Sequence, residues 1–326
     1  MSNIIQQFEG LKVLVVGDVM IDAYYFGKVE RISPEAPVPI VAVEKKENRL
    51  GGAANVALNL AALGAKPIIC SVIGKDKDGE DLIHIFEQQR IGIAGIVQSA
   101  ERITTVKTRV IAQGHQMLRV DSEQTNEISA AASHELVGRI AELINHADVL
   151  IFEDYDKGVL TKENIEKIIA IAKEHQVPIV VDPKKRNFFH YQGVDLFKPN
   201  IKELKDGMKL EFADSDDKAL QNAAMQLMAS SGIKNVMVTR SERGVMIANE
   251  QAVYQIPAHL RKVADVSGAG DTVISIAALC IAVGLPIEKA AALANLGGGL
   301  VCEELGVVPI SKEKLTSEAI RLHLAY

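Results

Sequence analysis

Cysteine is scarce in this chain, with Cys70, Cys280 and Cys302 as the only three in 326 residues. Each sits among apolar neighbours without paired metal spacing, so buried thiols are expected and neither a disulfide framework nor structural zinc is indicated. No basic block occurs. The formal charge is −6 and lysine and arginine are scattered, which argues against nucleic acid as a partner. The first ten residues are polar and mixed, and the longest apolar runs are too short to cross a bilayer, so a soluble cytoplasmic protein without a membrane partner is expected. The eight histidines show no ligand spacing, and neither a low-complexity tract nor a 20 to 50 residue repeat is found. A Walker P-loop is absent, and the glycines Gly268 and Gly270 are followed by Val273 where a GxGxxG motif would have its last glycine. Dinucleotide oxidoreductase chemistry is therefore disfavoured.

What the chain does have is alternation. Lys12 to Val16, Lys66 to Ile73, Val149 to Phe152, Pro178 to Val181 and Asn235 to Thr239 read as buried strands. Gly52 to Leu63, Thr161 to His175 and Asp217 to Ser230 read as helices between them. The pattern predicts an α/β fold: a doubly wound, mostly parallel sheet with helices on both faces. Ligands in such sheets bind beyond the carboxyl ends of the strands, which draws attention to Asp18, Asp154, Asp182 and Arg240. Pro37 to Val43, Thr104 to Ile111 and Gln116 to Asp121 are strand-like without intervening helices, and they predict a small separate sheet. Such an insertion suits a lid over a cleft, a dimerisation surface, or both. One domain over 1–326 is expected, with lid segments at about 23–48 and 103–121.

The most informative segment is Asp265-Val266-Ser267-Gly268-Ala269-Gly270-Asp271, which runs directly into the apolar stretch Thr272 to Val283. Two glycines at a helix start let backbone N–H groups gather where the first turn has unpaired donors and a partial positive charge. That makes an anion seat. A carboxylate at Asp271 beside it suits a base for an attacking hydroxyl better than plain phosphate binding, although it could also merely complement the helix dipole. Gly51-Gly52 opens Ala53-Ala54-Asn55, where a ligand can approach the backbone, or where glycine simply enters a packed helix. Asp18 and Asp22 bracket a turn after the first strand and suit either polyol hydroxyls or capping. Asn200-Ile201-Lys202-Glu203 reads as a capping box or as a site that orders Mg²⁺ through its waters. Thr239 to Gly244 lines a nucleotide pocket or forms a polar hairpin. Lys107 and Arg109 share a strand face, with Arg119 on the next strand; they are solvated charges or a phosphate clamp.

Taken together, these residues resemble the ribokinase-like, or PfkB, carbohydrate kinases from Lys12 to about Val308. Both signatures of that family, the Gly51-Gly52 region with Asn55 and the Asp265 to Asp271 loop, are present in order, with Asn200 to Glu203 between them and Ser267 where threonine is more frequent. Gly17 to Asp22, Arg31 to Pro39, Asp154 to Gly158, Asp182-Pro183-Lys184 and Val238 to Glu242 are similar to the kinase half of the bifunctional heptose enzymes. That half phosphorylates D-glycero-β-D-manno-heptose 7-phosphate at C1, towards ADP-heptose for lipopolysaccharide. No HxGH-type nucleotidyltransferase motif is found, so adenylylation is expected from a separate protein. The resemblance implies Asp271 as catalytic base and Gly268, Ala269 and Gly270 as the anion hole. ATP would lie near Arg240, Ser241, Gly244, Asp265 and Asn295, with Asn200 and Glu203 organising Mg²⁺ and a monovalent cation as a further cofactor. Asp18, Asp22, Gly51, Gly52 and Asn55 would hold sugar hydroxyls, with Lys107, Arg109, Arg119 and Lys157 near the substrate phosphate. The alternatives are another sugar kinase of this fold, acting on ribose, fructose or a phosphohexose, and a non-catalytic sensor. A homodimer through the small sheet is a further expectation.

Overall fold

The computed structural model describes residues 4–259, 261–304 and 306–325. The first half runs β1 (Lys12–Gly17), β2 (Val19–Ile32), β3 (Pro39–Gly52), α1 (Ala53–Ala62), β4 (Lys66–Gly74), α2 (Lys77–Gln88), β5 (Gly92–Ser99), β6 (Val106–Ala112), β7 (His115–Ser122) and α3 (Ala130–Leu143). The second half runs β8 (Val149–Glu153), α4 (Lys162–Glu174), β9 (Ile179–Asp182), β10 (Leu196–Phe197), α5 (Ile201–Met208), α6 (Asp217–Ser231), β11 (Asn235–Thr239), β12 (Val245–Asn249), β13 (Val253–Ile256), α7 (Ala269–Ala282), α8 (Ile287–Val301) and α9 (Lys312–Arg321). A nine-stranded sheet has the order β13-β12-β11-β10-β9-β8-β1-β4-β5, and a four-stranded sheet the order β3-β2-β6-β7. The large sheet is parallel except where β12 pairs antiparallel with β11 and β13. This is the expected doubly wound architecture.

Alternation along the strands sorts the core into two layers. In β1, Val13 and Val15 face α1, α7 and α8, whereas Leu14 and Val16 face α3, α4 and α6. The same parity puts Val149 and Ile151 of β8 on the α7 side, and Leu150 and Phe152 on the other. Helix α7 is buried from Asp271 to Cys280, a mostly apolar stretch that also carries Thr272 and Ser275, and Asp271 is the one carboxylate in it. The chain winds outward from β1 in both directions, towards β4 and towards β8, so the switch point lies at the carboxyl ends of β1 and β8.

Several expectations need correction. Asp22 does not flank a turn: only Asp18 separates β1 from β2, and Asp22 lies inside β2 opposite Arg49 and Lys107. The strand expected at Pro37 to Val43 extends to Gly52, because it pairs along the whole of β2 through two bulges. Cys70 and Cys280 are buried as expected, but Cys302, just past α8, is only partly covered.

Candidate active site

The loop before α7 is braced by Asp265. Its Oδ1 accepts from the Ser267 N–H at 3.0 Å and the Ser267 hydroxyl at 2.9 Å, and its Oδ2 from the Gly306 N–H at 3.0 Å. Asp265, expected beside the nucleotide, is thus committed to shaping the loop. Gly268 turns the chain with φ +78°, a conformation that disfavours L side chains, and an added Cβ would lie 3.0 Å from Asn55 Nδ2. The Ala269 N–H rests on the Val266 carbonyl at a long 3.3 Å. A Cβ added at Gly270 would point towards Lys198 Nζ at 3.7 Å and Asp182 Oδ2 at 4.0 Å, so this side of the loop looks onto a buried ion pair.

Asp271 occupies the first turn of α7 and is buried. Its Oδ2 accepts from Asn55 Nδ2 at 2.6 Å and its Oδ1 from the Tyr155 hydroxyl at 3.0 Å. Burial pushes its pKa up to about 6, with Asp182 adding to the rise, while the Asn55 and Tyr155 hydrogen bonds and Lys198 oppose it. A carboxylate in that range is ionised at neutral pH yet basic enough to take a proton, the condition a general base must meet.

Two further carboxylates reach the same point by strand alternation. Glu153, two residues beyond Ile151, falls on the α7 face at the end of β8, and Asp182 does so beyond Val180 of β9. Glu153, Asp182 and Asp271 each offer an oxygen within 4.8 Å of the others. Lys198 Nζ meets Asp182 Oδ2 at 2.7 Å, and both groups are buried. Burial raises the pKa of Glu153 well above the ordinary range, and Asp182 and Asp271 add to it.

Around this centre lie the residues expected to meet a sugar. Asp18 is buried and accepts from the Tyr155, Lys157 and Val159 N–H groups at 3.0, 3.0 and 3.1 Å. Its carboxylate therefore anchors the loop that carries Tyr155. Burial and then Asp154 push its pKa up to about 6 against those three hydrogen bonds. Gly51 and Gly52 abut Asp22 and Asp18 closely: a Cβ on Gly51 would fall 2.4 Å from Asp22 Oδ2, and one on Gly52 2.5 Å from the Asp18 carbonyl. Asp22 pairs with Arg109, whose guanidinium also lies over the Tyr24 ring. Lys107 reaches Asp121 at 3.0 Å and Glu123 at 2.8 Å, and Lys157 reaches Glu123 at 2.9 Å. Glu123 therefore gathers two of the four expected cations. Arg119 departs from them: it is half-exposed and pairs with Asp121 on its own strand.

Residues 11–314 match the family model described as the pfkB family carbohydrate kinase. The chain belongs to that family. It is 40% identical over 324 residues to the bifunctional protein HldE of Syntrophotalea carbinolica, covering 99% of this chain and 65% of that one. With the HldE of Caulobacter vibrioides it shares 41% over 319 residues, or 97% of this chain and 65% of the relative. The chain thus spans just under two thirds of the length of these relatives. Among solved structures, the phosphofructokinase-2 of Escherichia coli in complex with potassium superposes with a TM-score of 0.80 at 20% identity, covering 98% of this chain and all of that one. The ribokinase of Arabidopsis thaliana complexed with ribose and ATP gives 0.71 at 16%, over 94% and 99%. At those identities the likeness is one of fold.

On this pfkB kinase fold the remaining residues separate into two further groups. Asn200 and Glu203 form the capping box at the start of α5: Asn200 Oδ1 accepts from the Glu203 N–H at 2.8 Å, and Glu203 Oε2 from the Asn200 N–H at 2.8 Å. Glu203 Oε1 also takes Lys184 Nζ at 2.5 Å. Arg240, Ser241 and Gly244 make the tight hairpin from β11 to β12, where Arg240 is buried and paired with Asp217. Gly244 has φ +83°, and a Cβ there would strike the Ile256 carbonyl at 2.1 Å. Asn295 on α8 donates to the Pro257 carbonyl at 2.9 Å. Sequence reasoning singled out Asp182 as a strand end without giving it a role, and it missed Glu153, Tyr155 and Lys198. The signal for Glu153 was present: a glutamate closing an otherwise wholly apolar strand, in step with its inward face.

Proposed function

We propose that this pfkB-family kinase transfers the γ-phosphoryl group of ATP to the C1 hydroxyl of D-glycero-β-D-manno-heptose 7-phosphate. The observation that carries the kinase reading is Asp271: a buried carboxylate with a raised pKa in the first turn of a helix entered through the left-handed Gly268. The heptose assignment rests on the motifs from Gly17 to Glu242 and on the similarity to the HldE proteins across nearly the whole chain.

In this reading Asp271 accepts the proton as the C1 oxygen attacks in line, and the loop amides of Gly268 to Gly270 receive the charge spread over the moving phosphoryl group. Asn55 and Tyr155 hold the two oxygens of Asp271 in place for that transfer. Asp18 acts one step back, fixing the loop that carries Tyr155, while Asp22, Gly51 and Gly52 shape the sugar side. Lys107, Arg109 and Lys157 supply positive charge for a substrate phosphate, which would displace the carboxylates they now hold. Arg240, Ser241, Gly244 and Asn295 line the nucleotide side. The oxygen-only donor set of Glu203, Asn200 and the neighbouring carboxylates suits Mg²⁺, which when bound neutralises phosphate charge. A monovalent cation is a further cofactor on the same reading, and the protein works in the cytoplasm.

The test is ADP release measured across heptose 7-phosphate, fructose 6-phosphate, fructose and ribose. Preference for the heptose phosphate supports the assignment. Preference for another sugar removes the heptose and leaves the kinase.

A further inference from the structure

Arg102 lies between β5 and β6, where the chain enters the small sheet. It is only 8% exposed, and among the described residues its guanidinium makes no ion pair. It donates instead to three main-chain carbonyls: Asn126 at 3.0 Å, Gln124 at a longer 3.5 Å, and Lys157. A buried charge satisfied by neutral groups alone is unusual, because such groups repay little of its desolvation. The three carbonyls come from two places. Gln124 and Asn126 follow β7, so both ends of the β6–β7 hairpin meet at Arg102, and the Ile103 N–H joins them by donating to Gln124 Oε1 at 3.1 Å. Lys157 belongs to the loop after β8, whose N–H groups Asp18 accepts.

This loop is therefore held between two opposite charges. The Lys157 N–H points to Asp18 at 3.0 Å and its carbonyl to Arg102, so the anion meets the donor and the cation the acceptor. Burial disfavours the charge on Arg102, and Asp18, across the loop, opposes that effect. The backbone here needs bracing. Asp156 has φ +59°, which a side-chain-bearing residue keeps only where its surroundings impose it, and a Cβ on Gly158 would strike the Asn126 carbonyl at 2.0 Å. Tyr155 immediately precedes these two residues, and its hydroxyl is the group that donates to Asp271.

We propose that Arg102 is a positioning residue: by joining the Lys157 carbonyl to both ends of the β6–β7 hairpin, it sets the Tyr155 hydroxyl on Asp271. It touches neither Asp271 nor the expected ligands, and it links the small sheet to the base. Its use in phosphoryl transfer rests on the kinase reading above; the placement of Tyr155 does not.

Two measurements on the full chain test this. In fluorine NMR of protein labelled with fluorotyrosine, the lines of Tyr155 and Tyr254 are identified by their loss in the corresponding phenylalanine variants. Arg102→Gln should displace the Tyr155 line and leave that of Tyr254, on β13, in place. A Tyr155 line that stays, or that moves together with the Tyr254 line, would overturn the proposal. In steady-state kinetics Arg102→Gln should lower kcat roughly 10- to 100-fold, the scale of a misplaced catalytic group, without changing KM for ATP. In a Tyr155→Phe background the same substitution should cost about twofold or less, because the two residues act in series. Equal losses in both backgrounds would show that Arg102 acts by another route and would overturn the assignment. Should Arg102→Gln fail to fold, Arg102→Lys, which keeps the charge but not the planar fork, is read in the same way. The spectra need no turnover, so the two claims separate: a displaced Tyr155 line in a chain inactive on every sugar removes the kinase and keeps the positioning, and turnover with an unmoved line does the reverse.

Discussion

At the scale of single residues, the proposed chemistry turns on the environment of Asp271. Burial is the largest influence on its pKa, which lies near 6. The sign follows: below about pH 6 the carboxyl carries a proton and cannot accept another, so kcat/KM should climb with pH through that region and level off above it. Tyr155 donates to this carboxylate and holds the pKa down, so Tyr155→Phe should move the acidic limb to higher pH. A pH profile of both proteins checks it; an unmoved limb would mean that another group sets it. Asp271→Asn keeps the shape and removes the base, so kcat should fall by roughly 10²- to 10⁴-fold with ATP affinity nearly unchanged. Steady-state turnover with a separate ATP titration measures both quantities. The position of Asp271 at a helix start behind a glycine turn was legible in the sequence, because glycine, helix start and carboxylate are all local. Its partners were not: Asn55 lies 216 residues away and Tyr155 116, and only the folded sheet brings them together. Asn55 was expected to meet a sugar, and in the structure its amide donates to Asp271.

At the scale of elements, Asn200 and Glu203 illustrate how one sequence pattern serves two purposes. The capping box is present, and loss of an N-cap side chain costs about 1 kcal/mol. Asn200→Ala should therefore lower stability by about that amount in urea denaturation, whereas Asn200→Ser, an equally good cap, should not. Equal loss in both variants would show that the amide does more than cap the helix. On the small sheet, Arg109 is held by Asp22 and stacked on Tyr24. Removing a charged hydrogen bond costs about 1.5–3 kcal/mol, so Arg109→Ala should raise KM for a phosphorylated sugar roughly ten- to hundredfold and barely alter that for a free sugar. Unchanged kinetics on both would return Arg109 to a structural ion pair. The long strands β2 and β3 were the least legible elements. Their 14 residues mix buried, half-buried and exposed positions without a clean two-residue period, because the sheet twists out of the core through its bulges. The two-residue β10 offers no pattern at all; its position is fixed only by its neighbours β9 and β11.

At the scale of the whole molecule, the small sheet stands apart in its surface. Every residue of β7 is exposed, Leu118 to 57%, and the strand forms an edge of its sheet. Ile32, Val38, Val43, Met117 and Val120 add to the uncovered apolar surface of the same sheet and its connecting loop. A second copy of the chain covering this face fits the expected homodimer. Analytical ultracentrifugation at micromolar concentration should then give a dimer that Leu118→Asp dissociates; a wild-type monomer would contradict it. Five of the nine strands of the large sheet, β1, β4, β8, β9 and β11, were read from the sequence, since buried parallel strands carry strong apolar signals, whereas β5, β10, β12 and β13 were not. The central claim is that this assembly moves a phosphoryl group from ATP to the anomeric oxygen of a sugar phosphate. Phosphorus NMR of the products formed from ATP and D-glycero-β-D-manno-heptose 7-phosphate tests it most directly. The account predicts ADP and a second, anomeric sugar phosphate appearing in equal amounts, both lost in Asp271→Asn. Unchanged ATP and a single sugar phosphate signal, under conditions where the protein binds both ligands, would contradict it.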